Sequence, residues 1–323
     1  MERSPFAAPL VALTMLLGVF ATFGPTYADM AALVFINGRP THVSFNDGDS
    51  FRMKDGPYRG TQARLGGFNT LETFGPAHWW GGWHPYELYV NSKIATLNGR
   101  RGTWHCTTNE EKDTYGRILM DCPDLGVDHI RKGLAHAMTV TDEPSRPEYL
   151  RAQQDAIRNR RGMWAKGVTD FVLTSLHSAD EGYPDPYNRM VSTRDGHSEK
   201  WKHHDTYDEC ERVCAMEDRV DVAKMDAAAR RMREHPELGP LLADKSNLNL
   251  IEFASRFTRK DEVPDYVPEP LRKKLTEWLA GEKRAGRLGD VHMEKGGCLI
   301  YVVFERRYGD KKAACLKGHG PRP

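Results

Sequence analysis

The stretch that decides the fold reads Asp47-Gly48-Asp49-Ser50, then Asp55-Gly56, then Arg64-Leu65, then Asn69-Thr70-Leu71-Glu72. Two acids stand at a tight turn. An arginine follows on the next expected strand. An amide, a hydroxyl and a carboxylate close the set. Further along, Asp113-Thr114-Tyr115-Gly116-Arg117 adds a second arginine.

These residue types suit a phosphate ester. Oxygen ligands hold a hard cation such as Ca²⁺. Each guanidinium can grip phosphate oxygens with two parallel charge-assisted hydrogen bonds. A further carboxylate can orient or deprotonate a water.

The neighbouring sequence predicts closely spaced strands: Leu33–Ile36, Thr41–Phe45, Ser50–Met53 and Thr61–Leu65. Asn37-Gly38, the acidic turn and Asp55-Gly56 separate them, and this spacing suggests a small barrel or sandwich. Tyr86–Leu97 reads as a helix with Tyr86, Val90, Ile94 and Leu97 on one apolar face. Gly102–Cys106 and Arg117–Cys122 read as antiparallel strands around a polar loop. Two more helices are expected at Val127–Ala135 and Arg146–Arg161.

At these motifs the chain resembles the staphylococcal nuclease (thermonuclease-like) family. That family's pattern is an Asp-Gly-Asp-Thr turn, an Arg-Leu strand, an Asp-Thr-Pro-Glu loop and a Tyr-Gly-Arg strand. The resemblance runs from about Phe35 to about Gly167. It implies an α+β fold with an OB-fold five-stranded β-barrel and three helices. It also implies roles. Asp49, Asn69 and the Thr70 carbonyl would bind Ca²⁺, and Glu72 would orient or activate water. Arg64 and Arg117 would stabilise the phosphorane-like transition state, and Tyr115 would stack on a nucleotide. Asp47 would brace the turn and the groups around the metal. The activity implied is endonucleolytic and exonucleolytic hydrolysis of DNA and RNA phosphodiesters by metal-assisted water attack, releasing 3′-phosphates. The residues alone do not select DNA over RNA.

Departures from the pattern matter. Asn69 replaces a carboxylate with a neutral amide, which weakens a cation site. Leu71 stands for proline, Ser50 for threonine, and Thr114 for a lysine. Thr139 and Thr141 fall where the family has two tyrosines, so that base-contact wall is missing. A loop rich in aromatics, with Phe74, Trp79, Trp80, Trp83 and His84, follows the catalytic loop directly. Trp79, Trp80 and Trp83 either stack on single-stranded bases or pack on the protein; packing is the expectation. Because of Asn69, a catalytically weak or silent nucleic-acid-binding module of the same fold stays in view. So does a cell-envelope interaction protein.

The 323 residues are enough for two modest domains, expected at 29–168 and 169–323. Net charge is only +1, so phosphate binding must be local rather than spread over the surface. Residues 1–28 resemble a secretory signal with cleavage after Ala28, implying a secreted or periplasmic protein. The apolar run is also just long enough for an uncleaved anchor.

In an oxidising compartment the even set Cys106, Cys122, Cys210, Cys214, Cys298 and Cys315 reads as disulfides. Cys106 with Cys122 is a plausible cross-strand bridge. Cys210 and Cys214, expected on a helix over 205–214, would bridge to Cys298 and Cys315 in either pairing. With His203 and His204 they also carry a zinc reading, but the spacing is not that of a finger. The C-terminal region reads as α+β, with a charged helical segment over 222–290 and an amphipathic stripe of Leu271, Leu275, Trp278 and Leu279. Its expected ends are a hairpin around Asp195-Gly196 and a final strand over 299–304. His197 reads as a turn or surface residue, and Arg100-Arg101 as a solvated run.

Overall fold

The expected strands form where alternating apolar residues can face one core. The computed structural model describes residues 31–182 and 184–317. The expected signal segment lies outside them. β1 (Ala32–Ile36), β2 (Arg39–Asp47), β3 (Ser50–Met53) and β4 (Gln62–Leu65) form an antiparallel run. Val34, Ile36, Val43, Phe45, Phe51, Met53 and Leu65 point inward, each at most 2% exposed. Burial of each such side chain is worth about 1.5–3 kcal/mol.

β5 (Phe68–Thr70) and β6 (Ala77–Trp79) follow, then helix α1 (Pro85–Arg101). The face expected to seat α1 is the wrong one. Tyr86, Val90 and Ile94 are exposed, while Leu88, Asn91, Ser92, Ala95, Thr96 and Gly99 are buried. The reason is close approach. A Cβ on Gly99 would lie 2.8 Å from the Phe45 ring, so small side chains, not large apolar ones, let the helix rest on the sheet.

β7 (Thr103–Cys106) and β8 (Ile118–Met120) are not the two arms of one ladder, as the sequence suggested. β7 runs parallel to β1 and β8 parallel to β4, giving the six-stranded order β7-β1-β2-β3-β4-β8. The sheet is curled like half a barrel. Its two edges meet at a bridge between Thr107 and Asp121, next to the Cys106–Cys122 disulfide. α2 (Pro123–Arg131) begins a turn earlier than expected, because Pro123 suits the first helical position. β9 (Ala135–Ala137) pairs with β5, and α3 (Pro147–Arg158) closes this core with Tyr149 and Leu150.

The remainder does not stand apart. β10 (Phe171–Ser175), β11 (Tyr187–Ser192) and β12 (Ser198–Lys202) make an antiparallel sheet, with the expected hairpin at Asp195-Gly196. The expected helix over 205–214 is absent. Cys210 adopts a left-handed turn, and Cys214 lies in strand β13 (Arg212–Arg219). Helices α4 (Val222–Glu234), α5 (Leu238–Leu241), α6 (Asn247–Lys260) and α7 (Glu269–Arg284) bury Met225, Met232, Phe253, Phe257, Leu275 and Leu279 in a second core. The stripe of α7 sits in it as expected.

β14 (His292–Ile300) pairs with β13 on one side and with β6 on the other. A strand from the far end of the chain thus joins the loop that follows Glu72. The final strand was expected over 299–304. It starts earlier, through polar residues, because β13 offers an equally charged partner in ladder register, and it stops before a short 3₁₀ turn at Phe304–Arg306. The disulfides are Cys106–Cys122, Cys210–Cys315 and Cys214–Cys298, which leaves no cysteine for zinc. Among the described residues no helix is long and apolar enough to cross a membrane.

Candidate active site

Gly48 shapes the acidic turn. A Cβ there would stand 2.5 Å from Thr70 Cγ2 and 2.8 Å from Ala95 Cβ. Only glycine lets the turn press against β5 and α1 together, and this contact sets Asp49 beside Asn69 and Thr70. Asp49 is buried at 2% exposure. Its Oδ2 accepts from the Thr70 backbone N–H at 2.8 Å, and its Oδ1 accepts from Arg64. The second Arg64 nitrogen donates to Asn69 Oδ1 at 2.6 Å. Asn69 Nδ2 donates back to the Thr70 carbonyl at 2.9 Å. Asp47 accepts from the Ser50 hydroxyl at 2.6 Å, bracing the turn.

The three residues assigned to a cation therefore converge. All their donors are oxygens, the kind a hard cation prefers. Two of those oxygens, on Asp49 and Asn69, already accept from Arg64, so an ion there requires Arg64 to release them. The set carries one carboxylate charge. Among the described residues, no group of three His, Cys, Asp or Glu side chains is placed to hold a metal.

Above this cluster opens a cavity of about 620 Å³ lined by Asp47, Arg64, Glu72, Arg100, Arg117 and Tyr308, with Phe74 beside them. Arg117, distant in sequence, shares this one space with Arg64 and Glu72. Arg117 is held by Asp113, whose carboxylate accepts from Nε at 2.7 Å. Tyr115, at the tip of the same turn, is 72% exposed, with the Arg117 guanidinium 5.5 Å from its ring centre. Burial and the nearby Asp49 charge carry Glu72 up to about 7, against the pull of Arg64, Arg307 and Arg117. Burial, with Asp49 and Glu72 beside it, pushes Asp47 up to about 8.

Trp79, Trp80 and Trp83 each contact other parts of the protein. Trp80 is 4% exposed, donates to the Gly167 carbonyl at 3.2 Å and packs on Trp164. Trp83 donates to the Met163 carbonyl at 2.8 Å under the Lys166 ammonium. Trp79 lies in β6 with the Arg212 guanidinium 4.1 Å from its ring. None of the three is among the residues that line the cavity.

Sequence reasoning missed several residues. Arg100 is not merely a solvated cation: it lines the cavity and donates to the Phe45 carbonyl at 3.0 Å. Arg307 and Tyr308 arrive from the C-terminal region, which carries no recognisable motif. The β6–β14 pairing helps bring them here. His197 is not a surface residue. It is 1% exposed and bonded to Asp195 at 2.6 Å and Glu199 at 3.1 Å.

No protein-family profile matches the chain, and no curated protein matches it.

Proposed function

We propose that this protein is an exported phosphodiesterase that hydrolyses nucleic-acid strands at the cavity shared by Arg64, Glu72 and Arg117. The observation that carries the reading is that convergence: Arg64, Arg117 and Glu72, a carboxylate of raised pKa, open on a single space. The motif order that resembles the staphylococcal nuclease family supports it. So does the curled sheet, whose strands β1–β4 and β8 we assign to an OB-fold barrel.

In this reading Arg64 and Arg117 hold the non-bridging oxygens of the scissile phosphate and stabilise charge as it builds in the transition state. Glu72 orients a water and takes its proton as the water oxygen attacks phosphorus. The bond from phosphorus to the 5′ oxygen breaks, and that oxygen leaves as an alcohol after taking a proton from solvent. A 3′-phosphate remains on the other product. Asp49, Asn69 and the Thr70 carbonyl would hold Ca²⁺, which when bound neutralises phosphate charge. Tyr115 would contact the nucleotide beside Arg117. Asp47 steadies the turn.

A second reading rests on one observation. The Arg64 clamp on Asp49 and Asn69 occupies the oxygens an ion needs, which favours a binding module without turnover. Incubating the purified protein with single- and double-stranded DNA and RNA, with Ca²⁺ or chelator, separates the two. The hydrolase reading expects cleavage that drops about 100-fold or more in Glu72→Gln at unchanged thermal stability. Binding without cleavage selects the module. Cleavage that ignores both Ca²⁺ and Glu72 overturns the mechanism.

A further inference from the structure

The cavity has a wall that neither the motifs nor the proposed chemistry uses. Phe74 leads away from Glu72. Tyr308 packs against it with ring centres 6.0 Å apart, and Phe304 packs against Tyr308 at 5.7 Å. Phe304 and Tyr115 line one adjoining groove. Tyr115, Phe304 and Tyr308 are 72%, 58% and 47% exposed. Two large aromatics this open and in contact with each other, Phe304 and Tyr308, are unusual on a surface that has a core to hide in.

Two lysines stand at the Phe74 end of the wall, and Arg307 lies between Phe304 and Glu181. The Lys93 ammonium sits 4.6 Å from the Phe74 ring centre, Lys312 sits 5.8 Å from it, and Arg307 lies 5.7 Å from Phe304. The groove that Phe304 shares with Tyr115 also carries Asp180, Glu181 and Glu305, whereas Phe74 and Tyr308 line the arginine cavity itself. A phosphate backbone is attracted to the end with Lys93, Lys312 and the cavity arginines and repelled from the acidic groove, so a strand meets the wall from the Tyr308 end.

The wall is fixed in place. Cys210–Cys315 ties the segment down, the Ala313 N–H bonds the Arg306 carbonyl at 2.9 Å, and Arg306 pairs with Glu209. Such a wall loses little freedom on binding.

The geometry points to Tyr308 and Phe304, with Phe74 behind them, as a base-stacking platform that seats single-stranded nucleic acid while its phosphates enter the arginine cavity. This rests on the phosphodiesterase reading of that cavity. Flat aromatic faces stack on any base, which gives affinity without sequence preference. In a duplex the bases are already stacked on one another and cannot reach the wall.

The test uses fluorescent oligonucleotides of one length: single-stranded, duplex, and an abasic strand of equal charge. Binding is read by anisotropy in the wild-type chain with chelator, and KM and kcat are read with Ca²⁺. The wild type is expected to prefer the base-containing single strand over both others by roughly 10-fold or more. In Phe304→Ala/Tyr308→Ala the preference over the abasic strand falls toward unity, and the effect on KM exceeds that on kcat. Phe304→Trp/Tyr308→Phe restores the preference, which a folding defect would not allow. Cleavage without base preference in the wild type overturns the platform and leaves the hydrolase standing. Base-dependent binding without cleavage does the reverse. A Phe304→Ala/Tyr308→Ala variant that keeps the full preference also overturns the platform.

Discussion

Arg64 donates to Asn69 Oδ1 at 2.6 Å while the same guanidinium holds Asp49. One cation, supplied by the protein, thus sits on the oxygens that a metal ion would need. The two compete, and the charge of the oxygens decides how well the ion does. Asn69→Asp adds a negative charge, from which a divalent ion gains more than a monovalent guanidinium. Calorimetry is expected to show Ca²⁺ binding tightened by roughly 10-fold, or ~1.4 kcal/mol. Unchanged affinity would remove Asn69 from the ion's shell.

Trp80 belongs to the core that joins the half-barrel to the rest of the chain, with Leu71, Leu88, Met163 and Trp164. Trp80→Ala is expected to cost about 3–5 kcal/mol in urea unfolding. Affinity for single strands, measured where the variant is still folded, stays as in the wild type. A selective loss of affinity would return Trp80 to the substrate surface.

His197 sets a pH dependence of stability. Burial alone would keep its ring neutral, but Asp195 and Glu199 hold the charged form, and its pKa rises to about 10. Glu252 adds to that pull, while Arg259 and Lys260 face Glu199 from α6. A raised histidine pKa gives stability that is complete below the ordinary value of 6.5 and is lost as pH climbs through about 10. Asp195 and Glu199 are lowered, so their share is present above the usual carboxylate range and is lost in acid. Glu252 is raised and offsets part of this. The thermal midpoint is expected to fall on the alkaline side between about pH 7 and 10. His197→Ala should remove that slope and cost about 3–5 kcal/mol near neutrality, since it leaves buried carboxylates short of a partner. A variant with the wild-type alkaline slope would refute the assignment.

The two C-terminal disulfides are nested: Cys214–Cys298 lies within the loop closed by Cys210–Cys315. The inner bridge already removes most of the outer loop's freedom. Cys210→Ser/Cys315→Ser is therefore expected to cost about 3 kcal/mol, less than its sequence separation of 105 alone would suggest. Chemical denaturation of the double variant checks this. A loss near 5 kcal/mol would mean that the outer bridge acts independently of the inner one.

The half-barrel was legible because its signals are local. Asn37-Gly38 and Asp47-Gly48 make turns, and residues two apart along β1 to β4 share a face, whatever the rest of the chain does. The acidic turn, Arg64 and Glu72 were legible for the same reason: they lie within one short run of strands. The helix α1 misled because its large apolar residues seemed to mark the buried side. The sheet came too close for them, and Ser92, Ala95 and Gly99 took the contact instead.

By itself, the sequence determined the strand run, the turn that carries Asp49, the cysteine set and the candidate residues. Each depends on residue type and short spacing. Only the tertiary structure decided which cysteines pair, that β7 and β8 lie on opposite edges, that Arg64 spans Asp49 and Asn69, and that Tyr308 stands beside Phe74 above the acidic turn. Those relations come from long-range pairing and close packing, above all β6 against β14. The net geometry of such contacts is set by how whole elements fit together, which no local pattern encodes.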